Sequence, residues 1–189
     1  LFFPDLEKAV AQRRFDFVLT NPEHYITLRS RHGLAVIATL MPLAEGHPVS
    51  QFGGVIFTRA DRADIDKLED LRGKVVSSVQ ELSFGAYMMQ RWTLYKHGIH
   101  IREMERMRFT GMPQDNAVYD VLSGKADVGF VRTGMLERMA REGKLDLAQL
   151  KVVNRQPADL FPQLLSTDLY PEWAFSVMPG VSDALKKQV

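Results

Sequence analysis

The chain has 189 residues, which is enough for one large domain or for two small lobes with a sizeable core. Its formal net charge is +1 and it contains no run of lysine or arginine, so charge gives no reason to expect nucleic acid as a partner. The chain contains no cysteine, which excludes disulfides, thiolate catalysis and cysteine-based metal sites. The absence of cysteine also suits an oxidising compartment.

The longest apolar stretch runs from Gly33 to Ala44 and is too short to span a bilayer. The chain opens on Leu1, without a start methionine or a signal peptide. We therefore expect it to be a fragment of a longer protein.

Strand and helix patterns alternate along the chain. Apolar runs with β-favouring residues predict strands over Phe15–Thr20, Leu34–Leu40, Gly54–Phe57, Lys74–Val79, Arg106–Phe109, Ala126–Val131 and Leu150–Val153. Helical spacing predicts helices over Asp66–Leu71, Phe84–Lys96, Asp115–Leu122 and Met135–Arg141, and from Ser182 onward. Within the second of these helices, Met88, Met89, Trp92 and Tyr95 form an apolar stripe that we expect to face the core.

This alternation predicts an α/β fold in which each lobe is a mostly parallel sheet flanked by helices. Composition changes twice, to a charge-rich segment after Phe57 and to a proline-rich return after Val153. We therefore predict one lobe from residues 1–58 and 152–189, and a second lobe, residues 59–151, inserted into it.

Ligands of open α/β sheets bind at the carboxyl ends of strands, beside helix N-termini. Polar or small residues occupy four such joints: Thr20–Pro22, Ser77–Gly85, Thr110–Asp115 and Arg132–Gly134. Each joint directs N–H groups and a positive dipole end toward one place, and Arg132 adds a full charge. The four joints together predict an anion receptor in which the Arg132 guanidinium has no protein partner. The alternative for Asn21, Ser83 and Asp115 is helix capping, and for Arg132 a surface ion pair.

Signatures of catalysis are absent from the sequence: it has no nucleophile elbow, phosphate-binding loop, dinucleotide fingerprint or HExxH pair. The five histidines show no metal-ligand spacing and are expected at the surface. Asp61, Asp64 and Asp66 lack the pattern of a calcium loop. We therefore expect no enzymatic activity, no metal and no cofactor.

Several segments in this order resemble the phosphonate/phosphite-binding periplasmic protein family, a branch of the type II periplasmic binding proteins. They are Phe15–Pro22 with Tyr25, Val55–Arg59, Leu68–Val76 and Val121–Gly129. Three further segments, Ser83–Gly85, Val131–Arg138 and Leu169–Trp173, resemble more closely the extracytoplasmic input domains of sensor histidine kinases of the tetrathionate-sensor type. The resemblance implies a two-lobed fold whose first strand and helix are missing here.

The resemblance adds to the residues expected at the joints, because it implies that Tyr25 occupies a ligand-facing position of the family. Phosphonate binders have a Ser-Thr-Ser-Gly run where this chain has Leu82-Ser83-Phe84-Gly85, and often a histidine near the position of Gln114. Because of these departures, we expect a sulfur oxyanion or another small acid at least as much as a phosphonate or a phosphate. The predicted ligand-binding residues are Asn21 and Tyr25 in one lobe and Ser78, Ser83, Phe84, Gln114, Asp115, Arg132 and Thr133 in the other.

The resemblance implies a periplasmic protein that captures a small anionic solute by lobe closure. The expected role is the sensory input domain of a two-component sensor histidine kinase, and the alternative is the substrate-binding component of a phosphonate-type ABC transporter. The corresponding partner is a membrane-embedded continuation of the same chain or an ABC permease, and not nucleic acid. The effector-binding domain of a cytosolic transcription regulator and an enzyme on the same scaffold are further alternatives.

Overall fold

The computed structural model of the chain describes residues 3–157, 159 and 161–188. The chain forms two compact units. The first comprises Leu1–Leu43, Pro48–Gln51 and Tyr170–Val189, and the second comprises Ala44–His47 and Phe52–Leu169. The second unit thus begins earlier in the chain and ends later than the predicted inserted lobe, whose boundaries remain a prediction.

The strands are β1 Phe17–Thr20, β2 Ala35–Thr39, β3 Leu43–Ala44, β4 His47–Pro48, β5 Gln51–Phe52, β6 Gly54–Arg59, β7 Val75–Ser78, β8 Arg106–Phe109, β9 Val128–Arg132, β10 Leu150–Val153, β11 Tyr170–Pro171 and β12 Ala174–Val177. The α-helices are α1 Phe3–Ala11, α2 Pro22–His32, α3 Met89–Lys96, α4 Asp115–Leu122, α5 Met135–Arg141 and α6 Asp183–Lys186. Short 3₁₀ helices cover Leu68–Leu71, Ile101–Glu103 and Leu147–Gln149, and a π-helical turn covers Phe84–Met88. The predicted bounds of α4, α5, β8 and β10 are confirmed. No helix among the described residues is long and apolar enough to cross a membrane.

The sheet of the first unit has the strand order β1-β12-β2, and β12 is antiparallel to both neighbours. Val18 of β1 packs into a core with Val10, Leu28, Leu34 and Met178. The expectation of a mostly parallel sheet is wrong for this unit, because β12 returns from the far end of the chain and lies between β1 and β2.

The second unit contains a five-stranded sheet with the order β10-β6-β9-β7-β8. Strands β7, β8 and β9 are parallel, as predicted, but β6 is antiparallel to both β9 and β10. Residues of β6 alternate between two cores, with Ile56 on one face of the sheet and Val55 and Phe57 on the other. The sheet is therefore covered on both faces, which explains why its strands are continuous apolar runs.

The predicted apolar stripe of α3 is only partly correct. Met89 is buried, with 1% of its surface exposed, whereas Trp92 and Tyr95 are 48% and 54% exposed and stack on each other with ring centroids 5.5 Å apart. The buried positions of α3 include two polar residues, Gln90 and Thr93. The apolar pattern assigned the wrong residues to the buried face of this helix, because two polar side chains take inward positions that periodicity assigns to apolar residues.

Candidate ligand-binding site

The carboxyl ends of β7, β8 and β9 meet at one edge of the sheet in the second unit. Ser78 at the end of β7 is paired with Phe109 at the end of β8, and Ser77 is paired with Gly129 of β9. Strand β9 continues beyond that pair to Arg132. The π-turn follows β7 and α4 follows β8, so three of the four predicted joints lie at this edge.

Arg132 ends β9 at this edge of the sheet. Its backbone N–H donates to Gln114 Oε1 at 3.1 Å, and its guanidinium carbon lies 4.6 Å from the centroid of the Phe52 ring. A Cβ atom on Gly85 would lie only 2.8 Å from the Phe52 ring and 3.0 Å from Arg132 Cβ. The expectation that the guanidinium has no protein partner is therefore wrong, because the chain brings Phe52 over it.

Phe84 extends the same group of side chains, since its ring meets the Phe52 ring edge-on with centroids 6.0 Å apart. We call Arg132, Phe52, Phe84, Gly85 and Gln114 the Arg132 cluster. Three of its members, Phe84, Gln114 and Arg132, were predicted as ligand-binding residues. Sequence reasoning missed Phe52, although its position directly before two glycines is a pattern that indicates close approach of the backbone.

The two predicted serines differ in their surroundings. Ser78 is buried, and its hydroxyl donates to the backbone oxygen of Ala86, so it joins β7 to the π-turn. Ser83 is half-buried at the start of the π-turn, where its backbone oxygen accepts the N–H groups of Tyr87 and Met88, both at 3.0 Å. The Ser83 hydroxyl makes no capping bond to the turn. Contact of either hydroxyl with a ligand stays a prediction.

Asp115 and Thr133 are buried and have protein partners. The Asp115 carboxylate pairs with Arg138 and lies 3.7 Å from the Lys144 ammonium. Thr133 Oγ1 accepts from the backbone N–H of Gly53 at 3.3 Å. These contacts give both side chains a structural role, and their contact with a ligand stays a prediction.

Asn21 and Tyr25 belong to the first unit, at the joint between β1 and α2. Asn21 caps α2 through a 2.9 Å bond that its Oδ1 accepts from the backbone N–H of His24. The Tyr25 hydroxyl accepts from the N–H of Val36 at 3.2 Å, and its ring packs against the first core. Both side chains therefore stabilise the joint, and their ligand contacts also remain predictions.

His24 at this joint is buried, so the expectation of a surface histidine is wrong here. Its Nδ1 lies 3.0 Å from Thr20 Oγ1. Burial lowers the pKa of His24 below its ordinary value, and the opposing charges of Glu23 and Glu7 do not cancel that effect. The imidazole is therefore neutral near pH 7 and adds no charge to the joint.

The model of the family described as "ABC transporter, phosphonate, periplasmic substrate-binding protein" matches residues 3–189. The chain belongs to this family. The resemblance inferred from the sequence is thereby confirmed. The family is described as one of periplasmic substrate-binding proteins, so the expected location and the expected absence of catalysis in this segment are confirmed.

One curated relative of this chain is a sensor histidine kinase. The tetrathionate sensor histidine kinase of Salmonella typhimurium is 35% identical over 185 residues, which are 97% of this chain and 31% of the relative. The chain thus spans less than a third of the length of that kinase.

Solved structures confirm the α/β fold of the type II periplasmic binding proteins. A protein from Xanthomonas citri solved with bound ATP has a TM-score of 0.73 at 18% identity, covering 98% of this chain and 66% of that protein. A binding-protein component of an ABC phosphonate transporter from Pseudomonas aeruginosa has a TM-score of 0.71 at 16% identity, covering 98% of this chain and 58% of that one. At these identities the similarity establishes the fold and not the ligand.

Proposed function

We propose that this domain binds a small oxyanion outside the cytoplasm and acts as the sensory input domain of a two-component sensor histidine kinase. The identity of 35% with a tetrathionate sensor kinase over almost the whole chain supports the sensory role. In such a protein, lobe closure around the anion shifts a population between two conformations, and a membrane-embedded continuation of the chain transmits the shift.

The Arg132 cluster is the observation that supports oxyanion binding. The guanidinium carbon of Arg132 lies 4.6 Å from the centroid of the Phe52 ring, and a guanidinium carries a planar fork of N–H donors that matches the oxygens of an oxyanion. The neighbouring π-turn and α4 begin at the same edge of the sheet, where their first N–H groups and positive dipole ends favour negative charge. A sulfur oxyanion, a phosphonate and a phosphate all suit this chemistry.

Titration calorimetry on the full chain as its gene encodes it tests the proposal. We expect saturable binding of at least one of tetrathionate, sulfate, inorganic phosphate and methylphosphonate, with tetrathionate as the first probe. Glucose and arginine are the controls for a neutral and a cationic solute, and neither should bind. Binding of a control solute, with none of the four oxyanions bound, would refute an anion site.

The family description favours a second candidate, the substrate-binding component of an ABC transporter. The two roles differ in the event that binding triggers. In a sensor, the bound oxyanion changes the autophosphorylation rate of the full-length protein, and deleting the gene leaves uptake of that anion intact. In a transporter component, deletion abolishes uptake and the purified protein shows no kinase activity.

A further inference from the structure

The buried side-chain amide of Gln90 lies next to the Arg132 cluster and bonds to Gly85 within it. Gln90 of α3 has 0% of its surface exposed and fills the space beside Gly54, where an added Cβ would meet the Gln90 Nε2 at 2.3 Å. A polar side chain is desolvated at this position, which costs free energy unless its groups are hydrogen-bonded.

The hydrogen bonds of Gln90 join elements that are distant in sequence. Its Nε2 donates to the backbone oxygens of Gly85 and Val131, both at 2.9 Å, and lies 3.5 Å from the oxygen of Val55. An amide nitrogen has two protons, so the two shorter bonds use its full donor capacity. Gly85 belongs to the π-turn, and Val131 directly precedes Arg132 in β9. The Gln90 side chain therefore connects the π-turn to the end of β9.

The other end of the amide makes no such bonds. Gln90 Oε1 is buried without a hydrogen-bond partner among the described residues, and the same is true of Thr93 Oγ1 one turn further along α3. A buried acceptor without a partner costs about 1–3 kcal/mol. The unpaired oxygen therefore offsets part of the stability that the two donor bonds add. Because hydrogen bonds are directional, those two bonds also set the spacing between Gly85 and Val131.

We propose that Gln90 is a positioning residue for the anion site: its amide holds the π-turn against the end of β9, so that one anion contacts both the turn and Arg132. This inference rests on the proposed function. The π-turn packs closely against the end of β9, because Gly85 has no room for a Cβ between Phe52 and Arg132. A turn that moves away from Arg132 would separate the two sets of donors that an anion needs.

Gln90→Met tests the inference, because methionine keeps the length of the side chain and removes both donors. Thr93→Val is the matched control, since it replaces a buried hydroxyl of the same helix that has no hydrogen-bond partner among the described residues. In calorimetry on the full chain, at a temperature where both variants are folded, we expect Gln90→Met to bind tetrathionate at least about 10-fold more weakly. Thr93→Val should stay within about twofold of the wild type.

Hydrogen exchange gives a second measurement that needs no ligand. Gln90→Met should speed exchange of the amides of residues 84–89 and of Arg132, whereas Thr93→Val should not. Unchanged exchange at these amides, or faster exchange with unchanged affinity, would overturn the positioning role.

If the wild type binds none of the four oxyanions, the proposed function fails, and exchange alone decides whether Gln90 holds the turn. If Gln90→Met does not fold, Gln90→Asn, whose amide is too short to reach both oxygens, replaces it in both measurements.

Discussion

The guanidinium carbon of Arg132 and the ring centroid of Phe52 lie 4.6 Å apart, although the two residues are far apart in the sequence. The ring and the cation attract each other because the face of an aromatic ring carries a negative electrostatic potential. Phe52 lies just before β6 and Arg132 ends β9, and these two strands are paired in the sheet. The pairing of β6 with β9 thus sets the position of the cation that we assign to the anion site.

Arg132→Ala should weaken binding of the oxyanion that the wild type binds roughly 10- to 150-fold, because a charge-assisted hydrogen bond contributes about 1.5–3 kcal/mol. Arg132→Lys should recover only part of the affinity, since an ammonium lacks the planar fork of donors. Without ligand, Arg132→Ala should lower the free energy of unfolding by about 0.5–1 kcal/mol, because the contact with Phe52 is lost. Calorimetry and urea unfolding measure the two effects. Wild-type affinity in Arg132→Ala would remove this residue from the site.

Gly85→Ala should weaken oxyanion binding and lower the melting temperature, because the new Cβ would lie 2.8 Å from the Phe52 ring and 3.0 Å from Arg132 Cβ. Gly129→Ala is the control, since its Cβ would meet the Phe57 ring at 2.2 Å, and Phe57 is not part of the Arg132 cluster. That variant should lose stability but keep its affinity while it is folded. Calorimetry below both melting temperatures separates the two outcomes. Equal affinity in the two variants would show that the π-turn is not part of the site.

Met89→Ala should cost about 2–5 kcal/mol of unfolding free energy, because Met89 is buried in the second unit. Trp92→Ala should cost at most about 1.5 kcal/mol, since that ring is 48% exposed and loses mainly its stacking on Tyr95. Urea unfolding of both variants at pH 7 provides the comparison. A larger loss in Trp92→Ala would mean that the ring is covered in the full protein.

The hydrogen bonds of Asp127 make the stability of the fold depend on pH. Its carboxylate accepts 2.5 Å and 2.8 Å bonds from Arg62 Nη1 and from the N–H of Val75. Burial alone would raise the pKa of Asp127, but these bonds outweigh it, and the pKa lies below its ordinary value. The carboxylate therefore stabilises the fold above the unfolded-state pKa of about 3.9, and this contribution is lost as pH falls toward the lower folded-state pKa.

Asp127→Asn should accordingly lower the free energy of unfolding at pH 7 by about 1–2 kcal/mol, allowing for the partial exposure of the pair. The difference from the wild type should shrink between about pH 5 and pH 3. Asp61→Asn is the control, because Asp61 is an exposed partner of Arg59 and should change stability by less than about 0.5 kcal/mol. A difference that stays constant down to pH 3 would contradict the assignment to ionised Asp127.

Much of the candidate site could be predicted from local sequence. Apolar runs identified the strands, and the polar residues after them identified the joints at which Ser83, Gln114 and Arg132 lie. Strand ends and helix starts depend on residues close together in the chain, so the sequence alone shows them. The contacts of Asp115 and Thr133 could not be predicted in this way, because Arg138 and Gly53 come from other elements.

The amino-acid sequence by itself determined the alternation of strands and helices, the absence of catalytic signatures and the place of Arg132 at the end of a strand. Only the tertiary structure decided that β12 runs between β1 and β2, that Phe52 covers the Arg132 guanidinium and that Gln90 faces inward. The physical reason is that strand pairing and side-chain burial depend on partners distant in the sequence. Periodicity reports which face of an element is apolar, but a buried amide such as Gln90 is recognised only once Gly85 and Val131 are beside it.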